Sequence, residues 1–173
     1  MSDSRRFREF ARVISQNIPL DANIADVAGG KGYLQSALRQ LGYQRVTSWD
    51  KRKKYAANRR GYHYGLFNFK DMHEYDAVVA MHPDDGTDHA VIYAGKHRVP
   101  AIICPCCVKP SAVPYQDYNS GYGGWLKHLH HLAEEQGMKV TWIKIDIDGR
   151  NDVMILFPNL LDKGFKRDYS EIA

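Results

Sequence analysis

Apolar positions along the chain alternate between helical spacing and short continuous runs. Residues 5–16 place apolar side chains on one face of a 3.6-residue period, which predicts an amphipathic helix that ends before Pro19. From residue 22 onward, apolar runs are separated by further helical patterns. The runs predict strands at 24–28, 45–49, 62–69, 76–81 and 99–104. The intervening patterns predict helices at 33–41, 51–60, 87–97 and 122–136.

The last part of the chain has a different pattern. Residues 139–147 alternate apolar and polar side chains, 148–151 favour a turn, and 153–157 are apolar again, which predicts a β-hairpin. Buried strands separated by helices indicate an α/β fold: a doubly wound, mostly parallel, seven-stranded sheet with helices on both faces. The hairpin would add the antiparallel strands. In such sheets, ligands bind beyond the carboxyl ends of the strands.

Length and composition limit the classes of protein. The 173 residues predict one domain over 1–173, made of the first helix, a core at about 22–158 and a short tail at 159–173. The hydrophobic share of 44% and charged share of 25% exclude wholesale disorder. Neither a membrane-spanning apolar run nor a signal-peptide pattern is present, so a cytoplasmic protein without a membrane partner is expected. The net charge of +4 permits a polyanionic partner.

A glycine-rich turn follows the first strand. Gly29-Gly30-Lys31-Gly32 allows a tight turn and close approach of a ligand, and Asp50 stands about 20 residues on, at the end of the second strand. The dinucleotide pattern fails because Gln35 replaces its third glycine, and the phosphate-loop pattern fails because Gly32 follows the lysine. A ligand with a ribose but no pyrophosphate remains, and S-adenosylmethionine fits. The alternative is a structural turn with Asp50 as a solvated cap.

The segment 26–34, Asp-Val-Ala-Gly-Gly-Lys-Gly-Tyr-Leu, resembles the Asp-x-Gly-x-Gly-x-Gly motif of class I S-adenosylmethionine-dependent methyltransferases, with Ala28 in place of the first glycine. The resemblance extends over residues 5–158. Within this family, the chain is similar to a subgroup that has His-Pro-Asp directly after strand four and Pro-Cys-Cys directly after strand five. That subgroup includes a tRNA ribose methyltransferase. The resemblance implies the fold and the cofactor, and leaves the acceptor open. The predicted cofactor-binding residues are Asp26, Ala28, Gly29, Gly30, Gly32, Tyr33, Asp50, Lys51, Asn68, Phe69, Met81 and His82.

Polar side chains at the exit of strand four are candidates for catalysis. His82, Asp84 or Asp85 could act as a general base, and Lys109 follows strand five. Transfer to a sugar hydroxyl would use such a lysine and acids, with Asp146 a further candidate acid. The simpler interpretation of 83–87 is a turn in which Asp85 or Thr87 caps the next helix.

The three cysteines lie within four positions, at 104, 106 and 107. We expect them to pack at the strand end, with Cys106 and Cys107 lining the substrate pocket and no metal bound. A zinc site with His128, His130 and His131 is disfavoured, because zinc ligands are usually separated by two to four residues. A cysteine nucleophile is the other alternative.

Cations and aromatic rings alternate in the stretch 51–62, and this pattern favours binding of unpaired RNA over a merely solvated helix face. Tyr115, Tyr118 and Arg150 are the further substrate-binding candidates. The sequence therefore predicts a methyltransferase with RNA as the favoured acceptor. A non-catalytic cofactor-binding partner subunit, a protein or small-molecule acceptor, and a Rossmann-type enzyme that uses another nucleotide remain alternatives. The absence of an Asn/Asp-Pro-Pro-Tyr/Phe motif argues against methylation of base amino groups.

Overall fold

Strands and helices alternate along the computed structural model, which describes residues 5–116 and 120–159. The helices are α1 (Arg6–Asn17), α2 (Tyr33–Gln40), α3 (Lys53–Ala56), α4 (Thr87–His97) and α5 (Gly121–Glu135). The strands are β1 (Ile24–Val27), β2 (Val46–Asp50), β3 (Tyr62–Tyr64), β4 (Ala77–Met81), β5 (Ala101–Cys104), β6 (Met138–Lys144) and β7 (Asp152–Pro158). A short 3-10 turn, Asp84–Gly86, lies between β4 and α4.

All seven strands belong to one sheet in the order β3-β2-β1-β4-β5-β7-β6. The five strands from β3 to β5 are parallel, whereas β7 pairs antiparallel with both β5 and β6. The predicted α/β fold with a closing hairpin is therefore confirmed. The strand order reverses between β1 and β4, which is the point where ligands bind in sheets of this kind.

Successive strand residues face opposite sides of the sheet and join two separate cores. Ile24 and Val79 pack with the apolar faces of α1 and α2 on one side. Ala25 and Val78 pack with α4 and α5 on the other side. Helices therefore cover both faces, which explains why β4 and β5 are continuously apolar.

Two predicted elements are shorter than expected. The helix expected at 51–60 is reduced to α3, because the chain turns back through left-handed backbone at Asn58 (φ 61°) and Gly61 (φ 76°). The strand expected at 62–69 ends at Tyr64. Its partner β2 ends at Asp50, opposite Tyr64, so the residues beyond have no strand to pair with.

The predicted tail at 159–173 lies outside the described residues apart from Asn159. Among the helices that the structure describes, none combines the length and the apolar character needed to cross a membrane.

Candidate functional site

A cavity of about 350 Å³ opens at the carboxyl edge of the sheet, beyond β1, β2 and β4. It is lined by Val27, Ala28, Trp49, Asp50, Lys51, Arg52, Gly65, Leu66, Phe67, His82, Pro83, Asp84, Asp85, Gly86 and Lys109. Six of these are among the predicted cofactor-binding and catalytic residues: Ala28, Asp50, Lys51, His82, Asp84 and Lys109. The topology brings them together because the carboxyl ends of parallel strands lie at the same edge of the sheet.

The glycine turn is bound tightly to the end of β2. A Cβ atom at Gly29 would lie 2.6 Å from Asp26 Oδ2 and 2.6 Å from the Ser48 Cβ, so no side chain fits there. The Gly29 amide donates to the Trp49 carbonyl (2.9 Å), and the Gly30 amide donates to Asp50 Oδ2 (2.8 Å). Gly29 is therefore required for packing, and the Tyr62 hydroxyl and the Arg59 guanidinium occupy the space that a side chain at Gly32 would take.

Asp26 lies beneath the turn and not on the cavity wall. Its side chain is buried, and Oδ2 accepts a hydrogen bond from the Ser48 hydroxyl at 2.6 Å. Burial raises the pKa of Asp26 to about 7, although the bond from Ser48 opposes this shift. Because Gly29 covers the carboxyl group, Asp26, which the resemblance placed among the cofactor-binding residues, does not face the cavity in this structure.

Asp50 is the buried acid of the cavity, and both of its oxygens are engaged. Oδ1 accepts from the Arg52 amide and Nε (2.9 Å each), and Oδ2 accepts from Gly30 N and from Arg52 Nη2 at 2.7 Å. Burial by itself would raise the pKa of Asp50, but the hydrogen bonds from Arg52 and Gly30 hold that pKa below its usual value. Arg52, which the sequence did not single out as a cofactor residue, thus closes over the carboxylate.

His82 links the exit of β4 to the hairpin. Its backbone is left-handed (φ 54°), and Nε2 donates to the Arg150 carbonyl at 3.0 Å, since a carbonyl can only accept. This bond leaves Nδ1 as the basic ring atom. Burial lowers the pKa of His82, so the imidazole is neutral at pH 7. The ring is therefore able to accept a proton at Nδ1.

Asp84 contacts three side chains that follow the neighbouring strand β5. Its Oδ1 accepts from Cys106 Sγ (3.3 Å) and Cys107 Sγ (3.0 Å), and it lies 3.3 Å from Lys109 Nζ. Burial raises the pKa of Asp84, but the thiols and Lys109 outweigh it and the pKa is lowered overall. Asp84 is therefore ionised at pH 7, at the edge of the cavity.

The capping role expected for Asp85 or Thr87 is not observed. The N-cap of α4 is Gly86, without a side-chain capping bond. The Thr87 hydroxyl instead donates to the Asp84 carbonyl (2.8 Å), and Asp85 forms an ion pair with Lys51 at the cavity wall.

Eight of the predicted cofactor residues lie outside the cavity wall: Asp26, Gly29, Gly30, Gly32, Tyr33, Asn68, Phe69 and Met81. Met81 is in the core, and Tyr33 is exposed, with its ring 5.4 Å from that of Phe7. Asn68 accepts from the Lys70 amide and Phe69 stacks on His89. Because β3 ends at Tyr64, the residues directly after it, Gly65, Leu66 and Phe67, form this part of the cavity wall. The sequence pattern did not predict them because it placed the end of this strand at residue 69.

The predicted substrate residues are separated. Tyr115 is buried against Trp125, and Tyr118 lies outside the described residues. Arg150 is exposed, with its guanidinium 3.8 Å from the Tyr122 ring centre. Asp146 forms an ion pair with Arg5.

The histidines considered for zinc are not assembled with the cysteines. His130 accepts from Trp142 Nε1 at 3.0 Å and pairs with Glu134, and His131 pairs with Glu135.

The basic stretch 51–62 forms one rim of the cavity. The guanidinium of Arg52 lies 4.5 Å from the Tyr55 ring centre, and that of Arg59 lies 4.2 Å from the Tyr62 ring centre. Lys53 and Lys54 are exposed on α3. The rim therefore combines positive charge with half-buried aromatic rings.

The sequence matches no family model and no curated protein. Solved structures do share its fold. Magnesium protoporphyrin IX methyltransferase from Synechocystis PCC 6803, with bound SAM, has a TM-score of 0.62 at 11% identity over 90% of this chain and 79% of its own. The ribosomal protein L11 methylase of Lactobacillus delbrueckii subsp. bulgaricus has a TM-score of 0.57 at 17% identity (88% and 78%). Human N-acetylserotonin methyltransferase in complex with SAM has 0.55 at 15% (88% and 51%). The chain therefore has the Rossmann-like fold of these methyltransferases.

Proposed function

We propose that this chain is an S-adenosylmethionine-dependent methyltransferase that binds its cofactor in the cavity at the carboxyl edge of the sheet. The observation that carries the proposal is the position of the cavity, at the strand-order reversal between β1 and β4, with Ala28, just before the glycine turn, and the buried Asp50 in its wall. Similar structures with bound SAM support it. When bound, the cofactor supplies a methyl group on a sulfonium.

Asp50 is the group that would accept the ribose hydroxyls. A carboxylate accepts about four hydrogen bonds, and all four are taken here by Gly30 and Arg52. The two bonds from the Arg52 side chain are the replaceable ones, because that side chain is 49% exposed. Binding of the cofactor therefore requires the guanidinium to leave Asp50. The apolar wall formed by Leu66 and Phe67 suits the adenine ring.

His82, Asp84 and Lys109 form the polar side of the cavity. The neutral His82 can take a proton from an acceptor hydroxyl or amine at Nδ1, while its Nε2 stays bonded to Arg150. Lys109, paired with Asp84, places a cation where an anionic acceptor would be oriented. In-line transfer requires chiefly that the acceptor and the sulfonium be held in line.

We propose RNA as the acceptor. The observation that favours it is the rim of cations and aromatic rings over 51–62, next to the cavity. Unpaired bases stack on such rings, and the cations attract phosphates. The three methyltransferases with this fold are named for a porphyrin, a ribosomal protein and N-acetylserotonin. Because the fold does not select the acceptor, the acceptor must be argued from this chain's own surface.

Calorimetric titration of S-adenosylmethionine and its demethylated product tests the cofactor site. We expect binding to the wild-type chain, about tenfold weaker or worse binding to Asp50→Asn, and up to about fivefold tighter binding to Arg52→Ala, which removes the competing ion pair. Asp21→Asn is the control, because it makes the same chemical change before β1, at the amino ends of the parallel strands and away from the cavity. It should bind as the wild type does. No binding of either compound to the wild-type chain would contradict the proposal.

A second candidate is a partner subunit that binds the cofactor without turning it over. The substitution of a motif glycine by Ala28 favours it. Incubation with methyl-labelled S-adenosylmethionine and total cell RNA distinguishes the two, because only an enzyme transfers label to RNA.

A further inference from the structure

Asp84, Cys106 and Cys107 bring three metal-ligating atoms together at the cavity edge. Within the described part of the chain, one ligand atom from each of the three lies within 4.8 Å of the others. The two sulfurs are 3.4 Å apart, and they lie 3.3 Å and 3.0 Å from Asp84 Oδ1. Two thiols and a carboxylate are a donor set for a thiophilic divalent cation.

The arrangement is produced by two adjacent strand exits. β4 and β5 pair in register, with Met81 opposite Cys104, so the residues after each strand lie side by side. Asp84 is turned toward the cysteines by its left-handed backbone (φ 53°). On the other exit, Pro105 is buried and its carbonyl accepts from the Tyr122 hydroxyl at 3.1 Å. The three donors therefore do not depend on a long flexible loop.

We propose that Asp84, Cys106 and Cys107 form a binding site for Zn²⁺. Bond lengths of about 2.3 Å to sulfur and 2.0–2.2 Å to oxygen require tetrahedral donor separations of roughly 3.5–3.8 Å. The three observed separations are shorter by a few tenths of an ångström, as expected for thiols that donate to the carboxylate. The two thiols release their protons to solvent when the metal binds.

The charge around the three residues suits a bound divalent cation. Two thiolates and a carboxylate carry a charge of −3, which Zn²⁺ reduces to −1, and Lys109, 3.3 Å from Asp84 Oδ1, balances the remainder. Three protein ligands leave a fourth position for water or an acceptor atom, which is the pattern of a reactive zinc site. Because Asp84 and Lys109 also line the cavity, this ion would lie beside the proposed acceptor.

Spacing along the chain does not reveal this site. Cys106 and Cys107 are adjacent, and the third donor comes from a different strand exit. The sequence therefore predicted packed cysteines without a metal, and considered only histidines from α5 as partners.

Titration of the reduced full chain with Cd²⁺ tests the site, because cadmium thiolates have an ultraviolet charge-transfer band whose intensity counts the sulfurs. We expect the band to saturate at one ion per chain, with the intensity of two thiolates, and Zn²⁺ to displace the Cd²⁺. Cys106→Ser and Cys107→Ser should each roughly halve the intensity. Asp84→Asn should keep the band and weaken binding by about tenfold or more.

Cys104→Ser is the matched control, since Cys104 donates to the Arg150 carbonyl outside the three residues. It should leave the band and the affinity unchanged, and circular dichroism confirms that each variant is folded. No band with the wild-type chain, or unchanged affinity in the Cys106→Ser/Cys107→Ser double variant, would overturn the proposal. The titration contains no S-adenosylmethionine, so its outcome is independent of the proposed methyltransferase function.

Discussion

Asp26 makes the stability of the chain depend on pH. The folded state holds its pKa at about 7, whereas an unfolded aspartate has a pKa near 3.8. Between these values the folded state binds more protons than the unfolded state, so the free energy of unfolding falls as the pH rises from 4 to 7 and is constant above. Asp26→Asn has a neutral side chain at every pH and still accepts from Ser48. We expect it to exceed the wild type by as much as roughly 4 kcal/mol at pH 8, and by little at pH 4.

Urea unfolding of both chains at several pH values measures this difference. Asp21→Asn, which changes an exposed aspartate, should follow the wild-type pH profile. A constant difference between Asp26→Asn and the wild type from pH 4 to pH 8 would contradict the burial argument.

Backbone conformation at the cavity edge could not be predicted from the sequence. Ala28, His82 and Asp84 all have left-handed backbone, which costs a non-glycine residue about 1–2 kcal/mol. The surrounding contacts impose these angles, for example the bond from His82 to the Arg150 carbonyl. Which residues lie at the ends of the strands was predictable, because the apolar runs of the sequence end there. The closure of Arg52 over Asp50 was not, since it depends on the conformation of a half-exposed side chain.

Strand prediction succeeded where both faces of the strand are buried. β4 and β5 are continuous apolar runs and β1 is apolar except for Asp26, and the positions of all three follow from the sequence within two residues. β3 is an edge strand with partly exposed residues, so its length is set by pairing with β2 and not by its own pattern. Because the predicted strand was too long, the cavity wall was predicted at Asn68 and Phe69, whereas the structure has it at 65–67.

The buried carboxylate of Asp88 on α4 binds the backbone of the segment after β5. Asp88 is fully buried, and its Oδ2 accepts from the amides of Ser111 (2.7 Å), Ala112 (2.7 Å) and Val113 (3.3 Å). Asp88→Ala would leave these amides without their acceptor, at a cost of about 1–3 kcal/mol. We expect a lower unfolding temperature and faster hydrogen exchange at Ala112 and Val113.

Asp146→Ala, which removes an exposed carboxylate on the hairpin, controls for the loss of charge. Its exchange at Ala112 and Val113 should match the wild type. If Asp88→Ala leaves those two amides as protected as before, the carboxylate does not anchor the segment.

Exposed lysines lie at both outer strands of the sheet, on opposite sides of the molecule, and this permits a test of RNA binding. The basic rim lies beside β3 at one edge of the sheet, and β6 forms the opposite edge, where Lys139 and Lys144 are exposed. A protein that binds RNA through the rim should lose affinity as salt rises, with a slope of about 0.7 in logarithmic units per phosphate contact on a single strand.

The double variant Lys53→Ala/Lys54→Ala should therefore bind a short oligouridylate more weakly, and its salt slope should fall by up to about 1.4. Lys139→Ala/Lys144→Ala removes the same net charge from the opposite edge, and should bind nearly as well as the wild type with an unchanged slope. Fluorescence anisotropy at several salt concentrations measures both quantities. Equal losses in the two variants would mean that only net charge attracts the strand. That result would count against RNA as the acceptor, because the cavity needs a strand held at its own rim.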